Sequence, residues 1–286
     1  MLENKYKIVF IDIDGTLVDD EKRISEETVN TIKRLKENNV YTVLTSGKPY
    51  ESIKLFSEKC YATPYLIGSN GAIVRDFKRN IDIFNKSFEK NTAIKILNMI
   101  KECNLYTMVT ISGNLVVDEE KYGVVPRNRP EVIIDASLQN YFEETDKPII
   151  KFSIIDGDKN KISEIREKIK NEFDVNITQI DFFGVPQSFK EKGEDYPNPY
   201  CIDVMPKDVT KAEAIKELIK YLDINLSETI AFGDGMNDIE MFQAVNYKVA
   251  MKNAVQELKD IADMITESNN QSGVAIALNK IFFEKQ

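Results

Sequence analysis

From Tyr6 the chain runs apolar through Ile8, Val9, Phe10 and Ile11, then turns polar at Asp12 and Asp14. A run that is apolar at consecutive positions suits a central parallel strand covered by helices on both faces. Behind it Ser25 is placed to cap a helix, with Glu26 and Glu27 in the first turn and Val29, Ile32 and Leu35 along one side. Asn38-Asn39 stops that helix, VYTVLTS follows as a β-branched strand, and PYLIGSNGA carries a further short strand. The far end of the chain repeats this style. CIDVM reads as a strand, TKAEAIKELIKYL as a helix, TIAF as a strand and DIEMFQAV as a helix. YKVAM, AVQELKDIA and DMIT continue as strand, helix and strand. Strands alternating with helices predict a parallel sheet with right-handed crossovers, to which both ends of the chain contribute.

The middle has a different rhythm. From about Ile81 to Gln187 the pattern predicts a strand, the helix NTAIKILNMIKECN and two strands, LYTMVTIS and NLVVDEE, paired across Ser112-Gly113-Asn114. After a stretch without a clear pattern come IIKFSII, the helix KISEIREKIKNEF and VNITQIDFF. KEKGEDYPNPY, residues 190–200, is polar, contains two prolines and reads as a return linker. The fold class expected is therefore α/β, with a doubly wound, mostly parallel, Rossmann-like core sheet made of residues 1–81 and 190–286. An α/β module is expected to interrupt it at residues 82–189.

Composition narrows the function classes. The chain has 286 residues, 42% apolar and 30% charged, the balance of a soluble globular protein. A net charge of −9 argues against nucleic acid or an anionic membrane as the main partner. The start lacks the order of a signal peptide and no run is long enough to span a bilayer, so a cytoplasmic location is expected. Cys60, Cys103 and Cys201 are scattered, with no CxxC pair. There is no histidine, so any acid–base chemistry falls to carboxylates and lysines.

Those carboxylates stand in telling places. In an extended chain residues two apart point the same way, so Asp12 and Asp14 are expected to project together at the carboxyl end of their strand. Two ionised carboxylates that close need a shared proton or a cation, and an oxygen-rich site suits Mg²⁺. Solvated aspartates at a turn are the plainer account. GDGMND then places Asp234 at the end of a second buried strand and Asp238 at the start of the next helix, where an acidic N-cap would also be ordinary. Thr210 and Glu213 fit a capping box, which puts Lys211 at the first helical position, against the helix dipole. Either solvent or an anion among the aspartates explains it. TSGK, residues 45–48, offers Ser46 and nearby backbone N–H groups to an oxyanion. SNGA, residues 69–72, reads as a turn, and AMKNA and QSGVA suggest no chemistry of their own.

Together these pieces resemble the haloacid dehalogenase superfamily, in its Cof-type branch of phosphatases with a large inserted α/β cap. DIDGTL is similar to the first motif, TSG to the second, Lys211 in VTKAEAI to the third and GDGMND to the fourth, in order over essentially the whole chain. NGA, AMKNA and SGVA are similar to further stretches typical of the branch. The resemblance implies hydrolysis of small phosphate esters, with Asp12 as nucleophile forming an aspartyl-phosphate and Asp14 as acid and base. It implies Mg²⁺ held by Asp12, the Asp14 backbone carbonyl and Asp234, with Asp238 in support. It implies phosphoryl binding by Ile13 N–H, Ser46, Gly47, Lys211 and Asn237. Lys48 stands where many relatives carry arginine. Tyr122, Arg127, Arg129 and Lys151 are candidates for substrate selection in the cap. A phosphohexomutase and a phosphate-responsive regulatory protein remain as alternative readings.

Overall fold

The computed structural model describes residues 5–112, 114–119, 132–135, 137–180, 188–191, 194–197 and 199–284. They divide into two compact units, residues 1–85 with 210–286, and residues 86–209.

The first unit opens with β1 (Ile8–Asp12), buried at every position. α1 (Glu26–Glu37) starts where Ser25 accepts the Thr28 N–H and buries Ile32 and Leu35. Then come β2 (Tyr41–Thr45), α2 (Tyr50–Lys59) and β3 (Tyr65–Gly68). The chain next reverses twice, through β4 (Ile73–Asp76) and β5 (Ile81–Asn85), each antiparallel to its predecessor. The strand expected near Ile81 thus belongs to the outer sheet. Asn80, in the left-handed region at φ 59°, turns β4 into β5, so β5 has a partner in its own unit.

The second unit follows with α3 (Lys90–Glu102), β6 (Tyr106–Ile111), β7 (Asn114–Val117), β8 (Val132–Ile134) and α4 (Leu138–Glu144). It continues with β9 (Ile149–Asp156), α5 (Lys159–Glu172) and β10 (Val175–Ile180). β11 (Ser188–Glu191) and β12 (Glu194–Pro197) pair with each other, and β13 (Tyr200–Pro206) closes the unit. Its main sheet has the order β10-β13-β9-β6-β7-β8. One face packs Val109, Phe152, Ile154, Ile202 and Val204 against Ile96 and Ile100 of α3, Phe142 of α4 and Ile165 of α5. Two expectations change here. The polar stretch expected as a linker contains a strand pair. CIDVM lies between β9 and β10 instead of in the core, because β13 pairs antiparallel with both, Val204 with Phe152 and Ile177. The return to the first unit therefore falls after Val209 and not at residue 190.

Back in the first unit, α6 (Lys211–Tyr221) leads to β14 (Thr229–Gly233), α7 (Ile239–Gln243), β15 (Tyr247–Ala250), α8 (Gln256–Asp260), β16 (Met264–Ile265) and α9 (Gly273–Phe282). The sheet order is β16-β15-β14-β1-β2-β3-β4-β5, parallel from β16 through β3. β1 sits centrally, between β14 and β2, so its carboxyl end opens beside those of both neighbours. That is where open α/β sheets present ligand-binding residues.

Candidate active site

β1 ends at Asp12 and its parallel neighbour β14 ends at Gly233, which puts Asp12 and Asp234 side by side. The Thr210 hydroxyl caps α6 by accepting the Glu213 N–H at 3.0 Å, and this cap places Lys211 at the helix start. Lys211 is not solvated there: it is 2% exposed. Its Nζ donates to Asp12 Oδ1 at 2.5 Å and to Asp238 Oδ1 at 2.6 Å. Asp238 is fully buried, and its Oδ2 accepts the N–H groups of Asp234 (3.0 Å) and Gly235 (3.1 Å). One carboxylate therefore ties down both the GDG turn and the lysine. Thr16 Oγ donates to Asp234 Oδ1 at 2.7 Å. Gly15, at φ +77°, leaves room for that carboxylate, since a Cβ there would fall on it. These two contacts account for Gly-Thr after the aspartates.

The charges do not balance. Asp12, Asp234 and Asp238 bring carboxylate oxygens within 4.8 Å of one another, against one buried ammonium. Burial, reinforced by the negative charge of Asp238, pushes the Asp12 carboxyl well above the usual carboxylate range despite Lys211. Burial raises Asp234 to about 6. Burial works against the Lys211 charge, but Asp12 and Asp238 outweigh it and hold its pKa above the usual lysine value. Hard oxygen donors with surplus negative charge fit a divalent cation such as Mg²⁺, which would favour all three carboxylates ionised.

Asp14 departs from expectation. The strand ends at Asp12 and the chain turns before Gly15, so the two-residue period stops short of Asp14. Its carboxylate is outside the clustered oxygens; it pairs with Lys48 and with Lys22 Nζ at 2.9 Å. Burial alone would raise its pKa, yet the two lysines hold it below the usual range. Asp12 and Asp14 therefore stand in opposite electrostatic environments two residues apart.

The remaining expected positions are spread around this centre. Ser46 follows β2, is buried, and accepts the Lys48 N–H at 3.2 Å; its own N–H goes to the Ile67 carbonyl. Gly47 packs against the Asn70 carboxamide. Ile13 buries its side chain, while its carbonyl accepts N–H groups from Leu17 and Val18. Asn237 is exposed in the turn Met236–Asp238, beside Gly235. Lys151 is buried and pairs with Asp203 Oδ2 at 2.7 Å within its own sheet, while Ser153 Oγ donates to Asp203 Oδ1 at 2.6 Å. Tyr122, Arg127 and Arg129 lie outside the described residues. The sequence reading missed Asn253 of AMKNA, whose Nδ2 donates to the Gly15 carbonyl at 2.8 Å. It also missed Asn269, which reaches the Val18 carbonyl and Asp20 Oδ1, both at 3.1 Å. The only local signal for either is an asparagine just after a short strand.

A lysine and three aspartates thus gather at the carboxyl edge of the parallel strands, a charged centre that fits a divalent cation. Comparison with known proteins gives the lineage. The description of haloacid dehalogenase-like hydrolases matches residues 9–278. A Streptococcus pyogenes protein provisionally named a phosphatase is 31% identical over 279 residues, spanning 96% of this chain and 97% of its own. The 5-amino-6-(5-phospho-D-ribitylamino)uracil phosphatase of Bacillus subtilis is 25% identical, spanning 98% and 99%. A crystal structure from Thermotoga maritima superposes with a TM-score of 0.80 at 25% identity, covering 98% of each chain. The chain belongs to the haloacid dehalogenase-like hydrolase family, in its Cof-type branch, and is a phosphatase. No helix among the described residues is long and apolar enough to cross a membrane.

Proposed function

We propose that the chain is a Mg²⁺-dependent phosphatase acting on small phosphomonoesters, sugar phosphates or similar phosphometabolites, through an aspartyl-phosphate on Asp12. The observation that carries this reading is the cluster at the end of β1, where the Asp12, Asp234 and Asp238 carboxylates lie within 4.8 Å of one another around Lys211. Asp12 is buried against Lys211 and the other aspartates, whereas Asp14 stands apart, half-buried beside Lys48 and Lys22. A divalent cation among the clustered oxygens would keep Asp12 ionised for attack, and an anionic ester drawing Lys48 and Lys22 away from Asp14 would let Asp14 take up the proton it delivers.

In this reading an Asp12 carboxylate oxygen attacks phosphorus while Asp14 delivers a proton to the leaving oxygen. Asp14 then takes a proton from the water that cleaves the aspartyl-phosphate, which regenerates Asp12. Asp12, the Asp14 backbone carbonyl, Asp234 and Asp238 would hold Mg²⁺, whose charge lets an anionic nucleophile meet an anionic ester. Lys211, Ser46, Gly47, Asn237 and the Ile13 N–H would serve the phosphoryl oxygens as donors. In this reading the inserted unit of residues 86–209 supplies the choice of leaving group. The B. subtilis relative, named for a phosphorylated ribityl compound, supports a metabolite substrate, and with it a cytoplasmic site of action.

The test is phosphate release from a panel of sugar phosphates, nucleotides and coenzyme phosphates. Wild type with Mg²⁺ is compared with wild type in EDTA and with Asp12→Asn. Release that requires both metal and Asp12 is expected. Release that survives either loss would sink the proposed mechanism.

A further inference from the structure

The turn Ser69–Gly71 is more elaborate than a strand end requires. Ser69, Asn70 and Gly71 all have positive φ, at 50°, 55° and 101°. Such backbone is disfavoured for residues other than glycine, least so for asparagine. Three backbone hydrogen bonds join this segment to the one carrying Ser46: Ser46 N–H to the Ile67 carbonyl (3.1 Å), Ser69 N–H to that of Lys48 (2.9 Å) and Asn70 N–H to that of Ser46 (3.1 Å). The Asn70 carboxamide lies over Gly47, where an added Cβ would stand 2.7 Å from Oδ1 and 3.3 Å from Nδ2. On its other side the turn backs onto the start of α6. A Cβ on Gly71 would fall on the Thr210 carbonyl oxygen and stand 2.8 Å from the Lys211 nitrogen. One strained turn thus touches the loop of Ser46 and Gly47 and, at Gly71, the backbone that presents Lys211.

We propose that Asn70 and Gly71 are positioning residues for the phosphoryl group. Gly71 sets the spacing between the Ser46–Gly47 donors and Lys211, and the Asn70 carboxamide orients the Gly47 edge of the anion site. The inference rests on the phosphate-binding roles given above. It explains why SNGA carries asparagine and glycine in this order: asparagine tolerates the left-handed backbone while supplying a neutral carboxamide, and only glycine fits against Thr210.

The experiment is calorimetric binding of inorganic phosphate to the full chain with Mg²⁺, at low and physiological salt, alongside thermal melting and ester hydrolysis. The variants are Asn70→Asp, Asn70→Gly and Gly71→Ala. Asn70→Asp keeps the shape and the left-handed preference but sets a negative charge beside Gly47. It is expected to weaken phosphate binding by about tenfold, more at low salt, with little change in melting. Asn70→Gly keeps the backbone and removes the carboxamide, and a smaller loss is expected. Gly71→Ala displaces Lys211 and is expected to weaken binding most. If it does not fold, the two Asn70 variants carry the test. Wild-type phosphate affinity in both Asn70 variants at both salt concentrations would overturn the inference and leave the turn purely structural. Phosphate binding by wild type without ester hydrolysis would overturn the proposed function while leaving this inference standing. No phosphate binding by wild type at millimolar concentration would overturn both.

Discussion

Lys211→Met is the sharpest probe of the charge arrangement. At an effective dielectric of about 20, each of the contacts at 2.5 and 2.6 Å has a gross attraction of about 6 kcal/mol. Desolvation of three buried ions cancels most of that. The useful figure is the cost of removing one partner from a buried pair, about 3–5 kcal/mol. In EDTA at pH 7 the variant is expected to lose that much stability by urea unfolding. The loss should shrink toward pH 5. Without the ammonium the Asp12 and Asp234 carboxyls both rise further above their unfolded values; Asp234, at about 6, titrates within this window, and a raised folded pKa favours the native state as pH falls. Mg²⁺ at a hundredfold excess over its Kd should return about 2.7 kcal/mol to any form that binds it. Phosphate release should fall by about a hundred- to a thousandfold, the effect of deleting a donor to transition-state charge. A variant as stable as wild type in EDTA, or equally weakened at pH 5 and pH 7, would refute the reasoning.

Thr16→Val removes the hydroxyl that orients Asp234, so Mg²⁺ affinity by calorimetry should fall about ten- to a hundredfold with the fold intact. Asp14 is held below the usual carboxylate range, so its pairing contributes stability above the unfolded carboxyl value, near 4, and loses it as pH falls. Lys48→Met should therefore cost up to about 1 kcal/mol in urea melts at pH 7, and progressively less as pH falls below about 4. Cys60 and Cys201 are buried, with thiols pushed up by burial, Cys60 to about 11, while Cys103 is partly exposed. A thiol reagent should label Cys103 rapidly in the native protein and the other two only after denaturation.

The site was legible where chemistry and strand ends coincide. Asp12 ends a buried strand, Asp234 and Asp238 follow another directly or by a few residues, and the parallel order predicted from the alternation put those ends together. The pattern at Lys211 left two readings open, solvent or the aspartates. The capped helix start fits either, and it is the seat of α6 against Gly71 and the aspartates that decides for the buried one. Asp14 lies beyond the strand end, where the two-residue period no longer applies, and its pairing with Lys48 and Lys22 had no mark in the local pattern. β13 was misassigned for a related reason: an apolar run such as CIDVM reads the same whichever sheet receives it. The partners that decide lie in β9 and β10, far off in sequence and with no local mark. β4 is four residues long and contains Arg75, too short and too mixed to stand out, and without it β5 had no visible home.

The central place of β1 also bears on how the chain is made. One edge of β1 pairs with β2 within a few dozen residues, but the other waits for β14, whose first partner residue is Thr229. At about 5–20 residues per second, translation leaves that edge bare for on the order of 10–40 seconds. During that interval an apolar strand with one unpaired side is a template for association with other nascent chains. Synthesis that stops anywhere before Gly233 makes the exposure permanent, so truncated products should aggregate instead of persisting as inactive monomers.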